Sequence, residues 1–103
     1  MENVIEDIKA QVYSSIEKNK TRLLNLKKET YDNKWTDEYD KVIRETKYKI
    51  ILESNQYTLE KYSQNNIDQT PSQMIIWITE EVNNRFDCFK QQEEALRNAQ
   101  GFF

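Results

Sequence analysis

Apolar side chains recur every three or four positions along most of this chain, the spacing of amphipathic helices and not of strands. Between Val4 and Thr30 they fall at Ile5, Ile8, Val12, Ile16, Leu23 and Leu26. Asn19 holds the stripe position between Ile16 and Leu23, where a polar group either bonds a neighbour or opens the seam locally. Glu2, Glu6 and Asp7 lie in or near the first turns, where carboxylates favour the helix dipole. The spacing predicts a first helix over 3–31. The stretch from Tyr31 to Tyr39 (Y-D-N-K-W-T-D-E-Y) interrupts it: Asn33 suits a helix exit, and Thr36 suits the cap of a second helix with Asp37 and Glu38 in its first turn.

The second helix is predicted over 37–62. Tyr39, Ile43, Thr46, Ile50 and Tyr57 form its stripe, and a second line of Tyr48, Leu52, Leu59 and Tyr62 is expected to widen that stripe toward two neighbours. Ser54-Asn55-Gln56 is the weakest helical stretch and the place for a bend or break. Residues 63–70 are polar and read as a loop. Thr70-Pro71-Ser72-Gln73 then gives the clearest local start, with Thr70 as cap, Pro71 at the first helical position and Gln73 reaching back. The third helix, over 71–100, carries Ile75, Ile78, Val82, Phe86, Phe89 and Leu96 on one face. Gly101 suits its C-cap, and Phe102 and Phe103 form a tail.

Helices of this length are roughly 40 Å long at about 1.5 Å per residue. Short connections favour antiparallel neighbours, so the expected fold is all-α: one domain over 1–103, an antiparallel bundle or elongated hairpin of three long helices. Composition agrees. Charged residues make up 32% and apolar residues 37%, a thin supply for a compact globule that suits helices burying one stripe each. One glycine and one proline are too few for a sheet protein's turns, and 12% aromatic residues argue against disorder.

Charge and residue type then remove function classes. The net charge of -3 disfavours wholesale binding to nucleic acid or anionic membrane. Lys18, Lys20, Arg22, Lys27 and Lys28 make a basic segment, followed by Lys34, but without interleaved aromatics it reads as a solvated face; nucleic acid is not the expected partner. The longest apolar run, Met74 to Ile78, falls far short of the about 20 residues of a membrane span. The acidic, mixed N-terminus is unlike a targeting peptide. Cys88 is alone, which suits a reducing, intracellular setting, with a cytoplasmic location expected. It lies roughly 110° from the third stripe and is expected half-exposed or at an interface.

With no histidine, Ser-His and Cys-His pairs and histidine-bearing metal sites are excluded; a single Cys and a single Gly exclude zinc clusters, P-loops and dinucleotide fingerprints. Asp32, Asp37, Glu38 and Asp40 cluster, but lack the glycine of a calcium loop and read as acids at a helix start. No catalytic residue, metal ligand or cofactor is expected. What stands out is apolar surplus. Ile76 and Trp77 project to opposite flanks, each roughly 130° from the line between Ile75 and Ile78, so both do not fit one narrow stripe. Trp35, Met74, Ile76, Trp77, Phe102 and Phe103 are therefore the expected anchors for a protein partner or a second copy of the chain, and the line of Tyr48 and Tyr62 is a further candidate for such surplus surface. The expected role is a non-catalytic interaction module: a small subunit, adaptor or chaperone-like partner of a larger assembly. The alternative is a small regulator or inhibitor that occludes an enzyme or a nucleic-acid-binding surface.

Overall fold

A computed structural model describes the backbone of residues 2–100 and the side chains of residues 3–96. Three helices account for nearly all of it: α1 (Glu2–Thr30), α2 (Asp37–Gln64) and α3 (Ser72–Gln100). Each packs on the other two. The result is a rod of 57 × 21 × 17 Å with a radius of gyration of 16.4 Å, against about 13 Å for a compact domain of this length. No described helix is long and apolar enough to cross a membrane.

Local chemistry sets the helix ends. α1 closes with Asp32 and Asn33 both in the left-handed region, φ 55° and 59°, while the Asn33 N–H turns back to the Lys27 carbonyl. The Thr36 hydroxyl caps α2 by accepting from the Tyr39 N–H at 3.1 Å. α2 ends in a Schellman motif. Asn66 is left-handed at φ 53°, the Ile67 N–H reaches the Tyr62 carbonyl, the Asn66 N–H reaches the Ser63 carbonyl, and Ile67 packs on the core. In a chain whose one glycine is Gly101, Asp and Asn fill these left-handed positions, because a short polar side chain tolerates them better than most. α3 begins one residue later than Pro71, whose carbonyl accepts from the Ile75 N–H at 2.9 Å. Gly101, expected to cap α3, lies outside the described residues.

The core is Val4, Ile8, Val12, Ile16 and Leu23 from α1, Tyr39, Ile43, Ile50 and Tyr62 from α2, and Met74, Ile78, Val82, Phe86 and Phe89 from α3. Its spacing differs between the two ends of the rod. Where the start of α1, the end of α2 and the start of α3 meet, every stripe advances by four: Val4-Ile8-Val12-Ile16, Ile50-Ser54-Thr58-Tyr62 and Met74-Ile78-Val82-Phe86. Four residues turn a helix by 400°, so each stripe winds by about 40° per step, opposite in hand to a heptad seam.

That winding corrects three sequence expectations: Val4 is buried where Ile5 was expected, Met74 where Ile75 was expected, and Ser54 and Thr58 in place of Tyr57. At the other end of the rod Leu96, expected on the α3 stripe, is exposed. α2 also runs unbroken through Ser54-Asn55-Gln56.

Most polar groups in and beside the seam are bonded, the buried Asn55 Oδ1 excepted. The Thr58 hydroxyl donates to the Ser54 carbonyl and the Thr46 hydroxyl to the Val42 carbonyl, both at 2.8 Å, while Arg22 Nη2 donates to Thr46 Oγ1. Asn19 does not open the seam: its Nδ2 donates to the Ser15 carbonyl of its own helix at 2.8 Å. Tyr39 is fully buried, and its hydroxyl donates to the Leu23 carbonyl at 2.9 Å.

Burial, with a smaller push from the Glu93 carboxylate, raises the Tyr39 pKa from 10.0 to about 12. The folded chain keeps this proton between those two values while the unfolded chain releases it, so the Tyr39 contribution to stability is lost as pH rises through that window. Tyr39→Phe is expected to cost about 1 kcal/mol at neutral pH by removing the bond to Leu23, and to flatten the fall in stability above pH 10 relative to the native chain. Urea melts of both proteins across neutral and alkaline pH check it; equal alkaline slopes would count against a buried, proton-retaining phenol.

Candidate functional site

The residues expected to anchor a partner do not form one patch. Trp35 follows α1 and leans on the core at the end opposite to Trp77. Its ring meets Tyr39 edge-on at 5.0 Å and lies 6.1 Å from Phe89, and its Nε1 donates to Asp40 Oδ1 at 3.1 Å. Lys90 sits over the ring and also approaches Asp40, which Arg44 approaches as well. Below this cluster Lys27 forms an ion pair with Glu93, tying α1 to α3. The acids here serve structure. Asp40 orients an indole, and Glu93 holds a largely buried lysine.

Trp77 is half-buried on the other end. It meets Tyr13 of α1 edge-on at 5.8 Å, with Lys9 over its face at 5.3 Å. Arg85 stacks on the far side of this group over Tyr13, and its Nε donates to Glu81 at 2.8 Å, a bond that raises the guanidinium pKa. Met74 is only 8% exposed and belongs to the core. Trp77 and Met74 share a groove with Ile5, Lys9 and Tyr62. Ile76, 57% exposed, stands apart on the solvent side of α3. Phe102 and Phe103 lie outside the described residues.

The largest unpartnered apolar side chains sit elsewhere, on the outer face of α2. Tyr48 is 72% exposed, Leu52 65% and Leu59 52%. Three members of the line expected to widen the α2 stripe thus face solvent; only Tyr62 joins the core. The angle shows why. At about 100° per residue, Tyr48, Leu52 and Leu59 lie about 160° to 180° from Ile50, on the opposite side of the helix. A helical wheel centred on Ile50 would have found them. Lys41, Arg44, Glu45, Lys49 and Glu53 frame Tyr48 and Leu52 in a shallow open depression. Charged side chains here surround an apolar centre.

Other chemistry is sparse. Among the described residues, no three side chains of the metal-ligating types stand close enough to hold an ion. Cys88 is a free, exposed thiol, more open than expected. Between α1 and α2 a polar groove is lined by Lys18, Arg22 and Lys49 together with Ser14, Ser15 and Asn19. Set against known protein families, curated proteins and solved structures, the chain matches none of them.

Two neighbours on α3 separate packing from surface. Trp77→Ala is expected to cost about 2 kcal/mol, since it removes a half-buried ring and its contacts with Tyr13 and Lys9. Ile76→Ala should stay within about 0.5 kcal/mol of the native chain. Urea denaturation of the two variants measures both, and equal losses would refute this placement.

Proposed function

We propose that this chain is a non-catalytic helical interaction module whose docking face is the outer side of α2. The observation that carries the reading is the line of Tyr48, Leu52 and Leu59, the three large apolar side chains left open along one face of α2 while the core is already complete without them. Leaving such area in water forgoes roughly 25 cal/mol for each Å² that a partner would cover. The absence of histidine from the chain weighs in the same direction, since it removes the commonest general base. A reducing cell interior, where Cys88 stays a thiol, is the setting this reading assumes.

A second reading, a small regulator that occludes another protein's surface, draws on the groove between α1 and α2. There Lys18, Arg22 and Lys49 enter none of the ion pairs found among the described residues. Recognition through that groove would weaken steeply with salt, whereas docking through the α2 line would change little.

A photo-reactive phenylalanine analogue at position 48, introduced in the cells that make the protein, tests the proposal. A discrete cross-linked product is expected there and not from exposed Thr21 on α1. Adding Leu52→Glu should abolish the product without changing the helical circular dichroism. No product at position 48, or one that survives Leu52→Glu, speaks against α2 as the docking face.

A further inference from the structure

We infer that the α2 face docks a second copy of this chain, with the two α2 helices antiparallel about a two-fold axis; the inference rests on the docking reading above and names its occupant. The face carries opposite charge along its length. About an axis between Glu53 and Ser54, Lys41, Arg44 and Lys49, with Glu45 and Glu53 among them, rim its first half, and the exposed Glu60 follows Leu59 in its second. Two such faces laid antiparallel bring Lys49 of each copy toward Glu60 of the other, while the two Glu53 stand at the axis, and the two helix dipoles oppose one another.

The register follows from the apolar line. With the axis crossing between Glu53 and Ser54, Tyr48 of one copy stands opposite Leu59 of the other, twice by symmetry. Lys49 then falls opposite Thr58 of the other copy, about 3 Å along the axis from its Glu60. Both Lys49 and Glu60 are exposed, and neither enters an ion pair within the chain among the described residues. An isologous contact of this kind closes on itself and leaves no repeating surface.

A lipid surface fits less well. The three cations of the face are matched by three acids, so it holds no excess positive charge for anionic headgroups. Three large side chains also make a small interface, which places the dimer in the weak, roughly micromolar class.

Sedimentation equilibrium of the purified full chain, from about 1 to about 500 µM, reads this directly. The mass is expected to climb from 12.5 kDa toward twice that value. Leu52→Glu should hold the monomer mass throughout while keeping native helicity. Lys49→Glu and Glu60→Lys should each weaken association by about three- to tenfold, and the double reversal should restore it. In a parallel pair those residues lie about 16 Å apart along the axis, so rescue reports the antiparallel register.

A chain that stays monomeric at the highest concentration overturns the inference, as does a dimer indifferent to Leu52→Glu or a double reversal without rescue. Sedimentation of the monomer with anionic phosphatidylserine vesicles, lost on Leu52→Glu, would also overturn it in favour of a membrane. If the purified chain is monomeric while the cross-linker at position 48 still captures a different protein in cells, the docking face stands and only its occupant is wrong.

Discussion

Joint burial of one stripe from each helix is the constraint on which the rest of this molecule depends. A single helix of this composition would be marginal in water, since its charged faces add little and its propensities are ordinary. Ile8, Val12, Ile16 and Leu23 of α1 lose contact with water only because α2 and α3 close over them. A rod of 57 × 21 × 17 Å presents a large outer surface for its length.

The polar groups inside the rod fit that picture. Tyr39, Thr46 and Thr58 reach backbone carbonyls, and Lys27 is matched by Glu93. The raised pKa of Tyr39 has the same origin: a phenol enclosed by Tyr31, Trp35 and the neighbouring core, held neutral by its surroundings, and bonded to a helix carbonyl. It marks a phenol buried at this end of the bundle. The ion pair beneath it, broken from either side, would strand a charge in a place with little water.

The outer face of α2 differs in kind. Its apolar side chains have no intramolecular partner, and its charges are arranged around them rather than against the core. α2 is the middle helix in sequence, held along its whole length by both neighbours, so this face is presented on a rigid support. A rigid apolar line loses less conformational entropy on binding than a loop would. On the proposed reading this face, and not the larger Trp35 or Trp77, is the docking element. Both tryptophans are already engaged, one with Tyr39 and Phe89, the other with Tyr13 and Lys9.

By itself, the sequence determined the helices, their approximate limits and most of the seam. The three-or-four spacing is local, and so are the Thr36 cap and the exit at Asn33, because each depends on neighbours within one turn. The chain also carried the exclusion of histidine-based sites and of paired-cysteine sites, which is a matter of residue type. Tertiary structure decided the phase of the stripes. A step of four and a step of three are equally helical, and only the facing helices select between them. Their choice at one end of the rod drew in Val4, Met74, Ser54 and Thr58 and left Ile5, Ile75 and Tyr57 at the margin. It also decided which aromatic residues became packing: Trp77 turned inward because Tyr13 of another helix met it, a pairing separated by 64 positions that no local pattern encodes.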